Sequence, residues 1–200
     1  MTHPRTIGLL GGSFNPAHAG HVHLSLEAAR RLKLDAVWWL VSPQNPLKPK
    51  KDMAGYDLRL AHARELAAAH PAIAVSDIEA RLGLHYSIDT IAALQQLHPH
   101  TRFIWLMGAD NLMIFHKWRK WNDFFLSVPI AIFDRAPFSH AALRSKAALR
   151  YRSQRLKPRE AAGLCHLPAP HWVYCFMPRH PLSATTLRKT LGKDAFLRHN

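Results

Sequence analysis

Short apolar runs alternate along the chain with longer stretches in which apolar residues recur every three or four positions. Thr6-Ile7-Gly8-Leu9-Leu10 reads as a buried strand ending at Gly11-Gly12. Ala19 to Leu32 has helical spacing, with Val22, Leu24, Leu26, Ala29 and Leu32 as its apolar surface. Ala36 to Val41 is a second apolar strand. Ser42 to Ala54 holds three prolines and three lysines and reads as a loop. Asp57 to His70 is expected to be helical, with Asp57 as a possible cap, and Ala72 to Val75 is a short strand. Ser87 to Leu97 reads as a helix that Ser87 could cap, and Arg102 to Met107 as a strand ending at Gly108. Short helices follow around Asn111–Phe115 and Asn122–Leu126, then a strand from Val128 to Phe133. An alanine- and arginine-rich helix is expected from about His140 to Arg155, a last strand at Trp172 to Met177 and a last helix at Ser183 to Leu191.

Strands that alternate with helices imply parallel strands joined by right-handed crossovers. The expected fold class is therefore α/β: a doubly wound, mainly parallel sheet with helices on both faces. No linker or repeat interrupts it, so residues 1–200 are read as a single domain. Ligands of such sheets bind beyond the carboxyl ends of the strands, which singles out the residues just after each strand.

Composition narrows the class. Hydrophobic residues make up 48% of 200, a globular value that excludes a wholly disordered chain. No apolar run approaches the roughly 18 residues of a membrane span, so no membrane partner is expected. The first residues lack the layout of a secretory signal. Two cysteines, Cys165 and Cys175, do not make a disulfide framework, and a cytoplasmic location is expected. The net charge of +14 is uneven: 15 basic residues face 11 acidic ones before residue 138, and 12 face 2 after it. Such a field attracts anions, whether nucleotides, nucleic acid or an acidic partner, or it is a solvated basic face.

The first strand runs into Gly11-Gly12-Ser13-Phe14-Asn15-Pro16-Ala17-His18-Ala19-Gly20-His21. Glycines remove side chains where a phosphate could approach the backbone, and a helix N-terminus near Ala19 points free N–H groups there. His18 and His21 lie one turn apart and can face one point, where two imidazoles can donate hydrogen bonds to phosphoryl oxygens. A packing turn and a histidine metal site including His23 are the competing readings. Three histidines crowded into six residues, with no acidic or cysteine ligand nearby, is poor zinc spacing, so no protein-held metal is expected. The pattern is neither a Walker A loop nor a dinucleotide fingerprint. Lys48, in the loop after the second strand, could reach phosphates as a mobile point charge, with Lys50 and Lys51 as rivals. Ser183 can cap the last helix, while Thr185 and Arg188 add a hydroxyl and a fixed charge near its start.

Gly12-Ser13-Phe14-Asn15-Pro16 with His18-Ala19-Gly20-His21 resembles the signature of the H-x-G-H nucleotidyltransferase superfamily, and within it the bacterial nicotinate-nucleotide adenylyltransferase family. The resemblance runs from Gly11 to Leu191 and is weakest over 138–170. Pro43-Gln44-Asn45-Pro46-Leu47-Lys48 resembles the family's proline-rich basic loop. Tyr86-Ser87-Ile88-Asp89-Thr90 resembles its Tyr-Thr-x-x-Thr stretch, with Ser87 in place of a threonine. Leu182-Ser183-Ala184-Thr185-Thr186-Leu187-Arg188 resembles its Ile-Ser-Ser-Thr-x-Ile-Arg stretch, with Ala184 replacing a serine.

The resemblance implies a Rossmann-like nucleotidyltransferase fold. It implies adenylyl transfer from ATP to nicotinate mononucleotide, giving deamido-NAD and pyrophosphate in NAD biosynthesis. His18, His21, Lys48 and Arg188 would be catalytic. Gly11, Gly12, Ser13, Phe14, Gly108, Asp110, Ser183 and Thr185 would join the histidines and Arg188 around ATP. Ser13, Lys48, Tyr86, Ser87, Asp110, Trp118 and Arg135 would hold the nicotinate nucleotide, with backbone N–H groups at Tyr86-Ser87 on its carboxylate and Trp118 on its ring. Mg2+ would be carried mainly by the substrate phosphates. Sister enzymes using nicotinamide mononucleotide or phosphopantetheine, and a basic nucleic-acid-binding module, are the alternatives; an oligomer is open.

Overall fold

The computed structural model describes residues 4–44, 53–134 and 139–177, and the side chains of Ser139 and His140 are not described. β1 (Thr6–Gly12), β2 (Ala36–Val41), β3 (Ile73–Ser76), β4 (Arg102–Gly108), β5 (Ile130–Phe133), β6 (Arg155–Leu156) and β7 (Trp172–Cys175) form one sheet in the order β3-β2-β1-β4-β5-β7-β6. Every pairing is parallel, as alternation with helices requires. The helices are α1 (Ala19–Leu32), α2 (Tyr56–Ala68), α3 (Ile78–Arg81), α4 (Ser87–Leu97), α5 (Ala109–Ile114), α6 (Trp121–Ser127), α7 (Ser139–Leu143) and α8 (Lys146–Arg150), with 3-10 turns at Phe115–Lys117, Arg152–Gln154 and Pro158–His166.

The strands are apolar on both faces because both faces are covered. Ile7, Leu9, Phe103, Trp105, Met107, Ile130, Ile132 and Trp172 belong to one core cluster, with α4, α5, α6 and α8 over it. The alternate positions Leu10, Val37, Trp39, Val41, Ile104, Leu106, Ala131, Phe133 and Val173 belong to the other, beneath α1, α2 and the 158–166 turn. The winding direction reverses between β1 and β4, which are neighbours in register at Leu10 and Leu106. Such a reversal opens a crevice at the carboxyl edge, where Gly12 and Gly108 end their strands.

Several expectations are corrected. Asp57 lies inside the first turn of α2, whose cap position is Gly55 without a side-chain bond. Ser87 is the first residue of α4 and Tyr86 its cap, again without a side-chain bond. Leu26 points to solvent, and α1 buries Val22, Ser25, Ala28 and Leu32. Small residues at 25 and 28 let that helix sit close on the sheet. The single helix expected over 140–155 is broken: Ser145 caps α8 by accepting from Ala148 N, and the chain turns before and after it. Nothing in the pattern foretold α3, β6 or the 158–166 turn. Among the described residues no helix is long and apolar enough to cross a membrane. The last expected helix, Ser183 to Leu191, lies outside the described residues.

Candidate active site

The turn after β1 is built from packing and capping together. At Gly11 an added Cβ would stand 2.6 Å from Cη2 of Trp105, so its missing side chain makes room for a core indole. An added Cβ at Gly12 would meet only the Phe14 ring at 3.5 Å, an ordinary contact. Phe14 takes a left-handed φ of 44° and is 1% exposed. Its ring stacks on Trp39 (5.0 Å) and tilts against His21 (4.8 Å). With the ring committed to the core, only the backbone of Phe14 can meet a ligand. Ser13 is buried beside it.

His18 is the N-cap of α1, with extended backbone, and His21 is the third residue of its first turn. Nδ1 of His18 accepts from Gly20 N at 3.1 Å, and Nδ1 of His21 accepts from His18 N at 3.2 Å. The two bonds form a reciprocal capping box built from imidazoles. Its consequence is chemical. A nitrogen that accepts from a backbone N–H carries no proton, so each neutral ring holds its proton on Nε2. Two Nε2–H donors are thus fixed by the bonds that start the helix, with ring centroids 3.9 Å apart. The same turn is fastened to β2: Trp39 Nε1 donates to Ser25 Oγ (2.8 Å), and Ser25 Oγ donates to the His21 carbonyl (2.8 Å). Positive charge or donors at this N-terminus suit an anion.

A second group forms on the other face of the sheet. Tyr86 has extended backbone and precedes α4, whose first N–H groups lack acceptors within the helix. Ile88 and Trp118 pack against the same core cluster, and Trp118 stands edge-on to Trp105 at 6.2 Å and tilted to Phe115 at 4.9 Å. The two segments meet directly: the Arg119 guanidinium lies 4.4 Å from the centre of the Tyr86 ring. Beneath them Thr90 Oγ1 donates to buried Glu79 at 3.0 Å, with the Tyr86 carbonyl as a second, longer acceptor position at 3.3 Å. Burial pushes the Glu79 carboxyl up to about 7, against the opposing pull of the Thr90 bond.

Asp110 is the second residue of α5, just past Gly108, so it heads a helix at the carboxyl edge of β4. Tyr174 donates to Asp134 at the end of β5 (2.9 Å). Of the expected site residues, Lys48, Arg135, Ser183, Thr185 and Arg188 lie outside the described residues. Among the described residues no group of three or more His, Cys, Asp or Glu is gathered that could hold a metal ion. Arg144, Lys146, Arg150, Arg152, Arg155, Lys157 and Arg159 are all exposed and form a basic surface, with Arg155 over the Trp172 ring at 5.8 Å.

Sequence reasoning passed over Arg59 and Arg119. Arg59 lies on the stripe that α2 buries, four residues before Ala63 and eight before Ala67. An arginine in line with buried alanines was the available signal. Arg119 directly follows the candidate ring-binding Trp118, and only the folded chain brings it to Tyr86.

Residues 9–190 match the cytidylyltransferase-like family model. A relative from Parvibaculum lavamentivorans, named a probable nicotinate-nucleotide adenylyltransferase, is 50% identical over 186 residues, covering 93% of this chain and 92% of its own. One of the same name from Cereibacter sphaeroides is 48% identical over 184 residues, 92% of this chain and 96% of its own. In fold the chain is similar to Plasmodium falciparum nicotinic acid mononucleotide adenylyltransferase complexed with NaAD, at a TM-score of 0.71 and 16% identity over 95% of this chain and 85% of that one. The strand order, the histidine pair at the head of α1 and these matches agree: the chain belongs to the cytidylyltransferase-like family, among the nicotinate-nucleotide adenylyltransferases.

Proposed function

We propose that the protein transfers the adenylyl group of ATP to nicotinate mononucleotide, giving nicotinate adenine dinucleotide and pyrophosphate. The observation that carries this reading is the imidazole capping box, which leaves two Nε2–H donors at a helix N-terminus beside the switch point of the sheet. The relatives' names support the choice of acceptor.

In this reading a phosphate oxygen of the mononucleotide attacks the α-phosphorus of ATP in line. The bond to the bridging oxygen breaks, and pyrophosphate leaves with the electron pair. The attacking oxygen is already anionic, so alignment and charge stabilisation suffice, without a protein nucleophile. His18 and His21 donate through Nε2–H to the α-phosphoryl oxygens as charge moves toward the leaving group. Backbone groups of Gly11 to Phe14 line the triphosphate, and Lys48, Ser183, Thr185 and Arg188 hold its outer phosphates. Asp110 accepts from a ribose hydroxyl. The N-terminus of α4 at Tyr86 and Ser87 takes the nicotinate carboxylate, Trp118 faces the pyridine ring, and Arg135 is assigned to the nucleotides by the family resemblance alone. Arg119, held over Tyr86, adds a cation beside the carboxylate.

Mg2+ is the expected cofactor. The described donors do not form a carboxylate cage, and they fit an ion held by phosphate oxygens and water, which Mg2+ prefers. Bound there, it would neutralise phosphate charge. Both cysteines described are free thiols, which fits a reducing cytoplasm.

The test is pyrophosphate release with ATP and Mg2+, offering nicotinate mononucleotide, nicotinamide mononucleotide and phosphopantetheine in parallel. Turnover with the nicotinate form, lost in His18→Ala, is expected. Turnover with phosphopantetheine alone would keep the family and overturn the roles of Tyr86, Ser87 and Trp118.

A further inference from the structure

Arg59 is the largest charged side chain in the core, 1% exposed, and it spreads its guanidinium over four backbone carbonyls. Nη1 donates to Ser13 at 2.6 Å and to Ser42 at 2.8 Å, Nη2 to Pro43 at 2.8 Å, and Nε to Ala54 at 3.0 Å. The Tyr56 ring lies 5.4 Å from its centre. The ion pairs among the described residues do not include it. A cation so placed is costly to bury, and burial lowers its pKa from arginine's ordinary value. Among the described residues the site offers acceptors but no counter-charge.

The four carbonyls come from three segments: the turn after β1, the end of β2 and the entry to α2. A second stitch runs beside the first, Ala54 N donating to Asn15 Oδ1 at 3.1 Å. A planar trans peptide points its C=O and N–H in opposite directions. The Ser13–Phe14 bond is trans, so a Ser13 carbonyl turned to Arg59 turns the Phe14 N–H away from it. Phe14 also needs holding, because its left-handed φ is unfavourable for a residue with a side chain. No other side chain matches these acceptors: lysine lacks the planar fork, and glutamine has two N–H donors.

We propose that Arg59 is a positioning residue for nucleotide binding: through the Ser13 carbonyl it holds the 12–18 turn so that the Phe14 N–H and the paired imidazoles meet the triphosphate, and its buried charge strengthens the hold on that anion. The proposal rests on the reading of this turn as the ATP site.

The test uses the full chain with Arg59→Lys, Arg59→Met and Arg59→Gly, the last with and without added guanidinium. Binding of α,β-methylene-ATP is measured by calorimetry, KM is measured for ATP and for nicotinate mononucleotide, and thermal unfolding is followed in parallel. Arg59→Lys is expected to bind the analogue about 10-fold more weakly, with KM for ATP raised and KM for the mononucleotide within about 2-fold. Guanidinium is expected to restore part of the analogue affinity of Arg59→Gly. Wild-type analogue affinity in folded Arg59→Lys would overturn the proposal. So would guanidinium restoring the unfolding temperature of Arg59→Gly without restoring its analogue binding, which also decides the matter if the other variants do not fold. Analogue binding is read without an acceptor, so a wild-type protein inactive toward nicotinate mononucleotide would sink the acceptor assignment and leave this test intact.

Discussion

His18 donates its backbone N–H to Nδ1 of His21, and its own Nδ1 accepts from Gly20 N, so each ring caps the helix with one nitrogen and keeps its proton on the other. The two duties can be separated. Asparagine is among the best N-caps and places an oxygen where His18 has Nδ1, but it has nothing in the place of Nε2–H. His18→Asn is expected to melt within about 3 °C of wild type and to lose roughly 100- to 1,000-fold in kcat. Loss of melting temperature together with rate would show that the cap, and not the Nε2 donor, is what the reaction needs.

With the head of α4 as the proposed seat of the acceptor's carboxylate, the contact between Arg119 and Tyr86 would bear on the choice between acid and amide. A carboxylate gains from a nearby cation and a carboxamide does not. Arg119→Met is expected to lower the kcat/KM ratio of nicotinate over nicotinamide mononucleotide by about 3- to 10-fold, a modest effect because Arg119 is solvent-exposed. The measurement is kcat/KM for both acceptors. An unchanged ratio would leave the backbone at the head of α4 as the whole basis of discrimination.

Glu79 gives the fold a dependence on pH. Burial holds its carboxyl at about 7 when folded, against the ordinary 4.5 when unfolded. Between those values the unfolded chain has released the proton that the folded chain retains, so stability falls as pH rises from about 4.5 to about 7 and then levels. The loss is roughly 3 kcal/mol when complete. Glu79→Gln can still accept from Thr90 and removes the ionisation. It is expected to abolish this part of the slope and to stabilise the protein at pH 8, read from urea unfolding across pH. A variant no more stable than wild type at pH 8 would show that Glu79 ionises without penalty.

Neighbouring glycines have different reasons to be there. The Cβ of Gly11→Ala would press on the buried Trp105 indole, itself edge-on to Phe124 at 5.1 Å, and a cost of about 1–3 kcal/mol in unfolding free energy is expected. Gly12→Ala meets an ordinary contact and is expected to unfold within about 0.5 kcal/mol of wild type while raising KM for ATP. Calorimetric melting and steady-state kinetics on the pair would expose any reversal of these roles.

The strands and their parallel pairing were legible because two-sided burial writes continuous apolar runs such as Phe103 to Met107. The histidine pair was legible because its spacing places both rings at one helix start. Less was visible where single bonds decide. Alanines suggested one helix over 140–155, and only the bond from Ala148 N to Ser145 Oγ marks the new start. Ser87 looked like a cap, yet the chain enters α4 one residue earlier, through the extended backbone of Tyr86. Arg59 was passed over, since its acceptors are carbonyls 5 to 46 residues away that only the tertiary fold assembles. The two-residue β6 is too short to leave any periodicity.

The imidazole capping box also sets how the protein should fail on heating. Both donors ride on one helical turn, and the same bonds orient the rings and start the helix. Opening of that turn withdraws both rings together. Heat inactivation is therefore expected as a single step, with the contributions of the two rings lost at one temperature, read from residual activity against temperature.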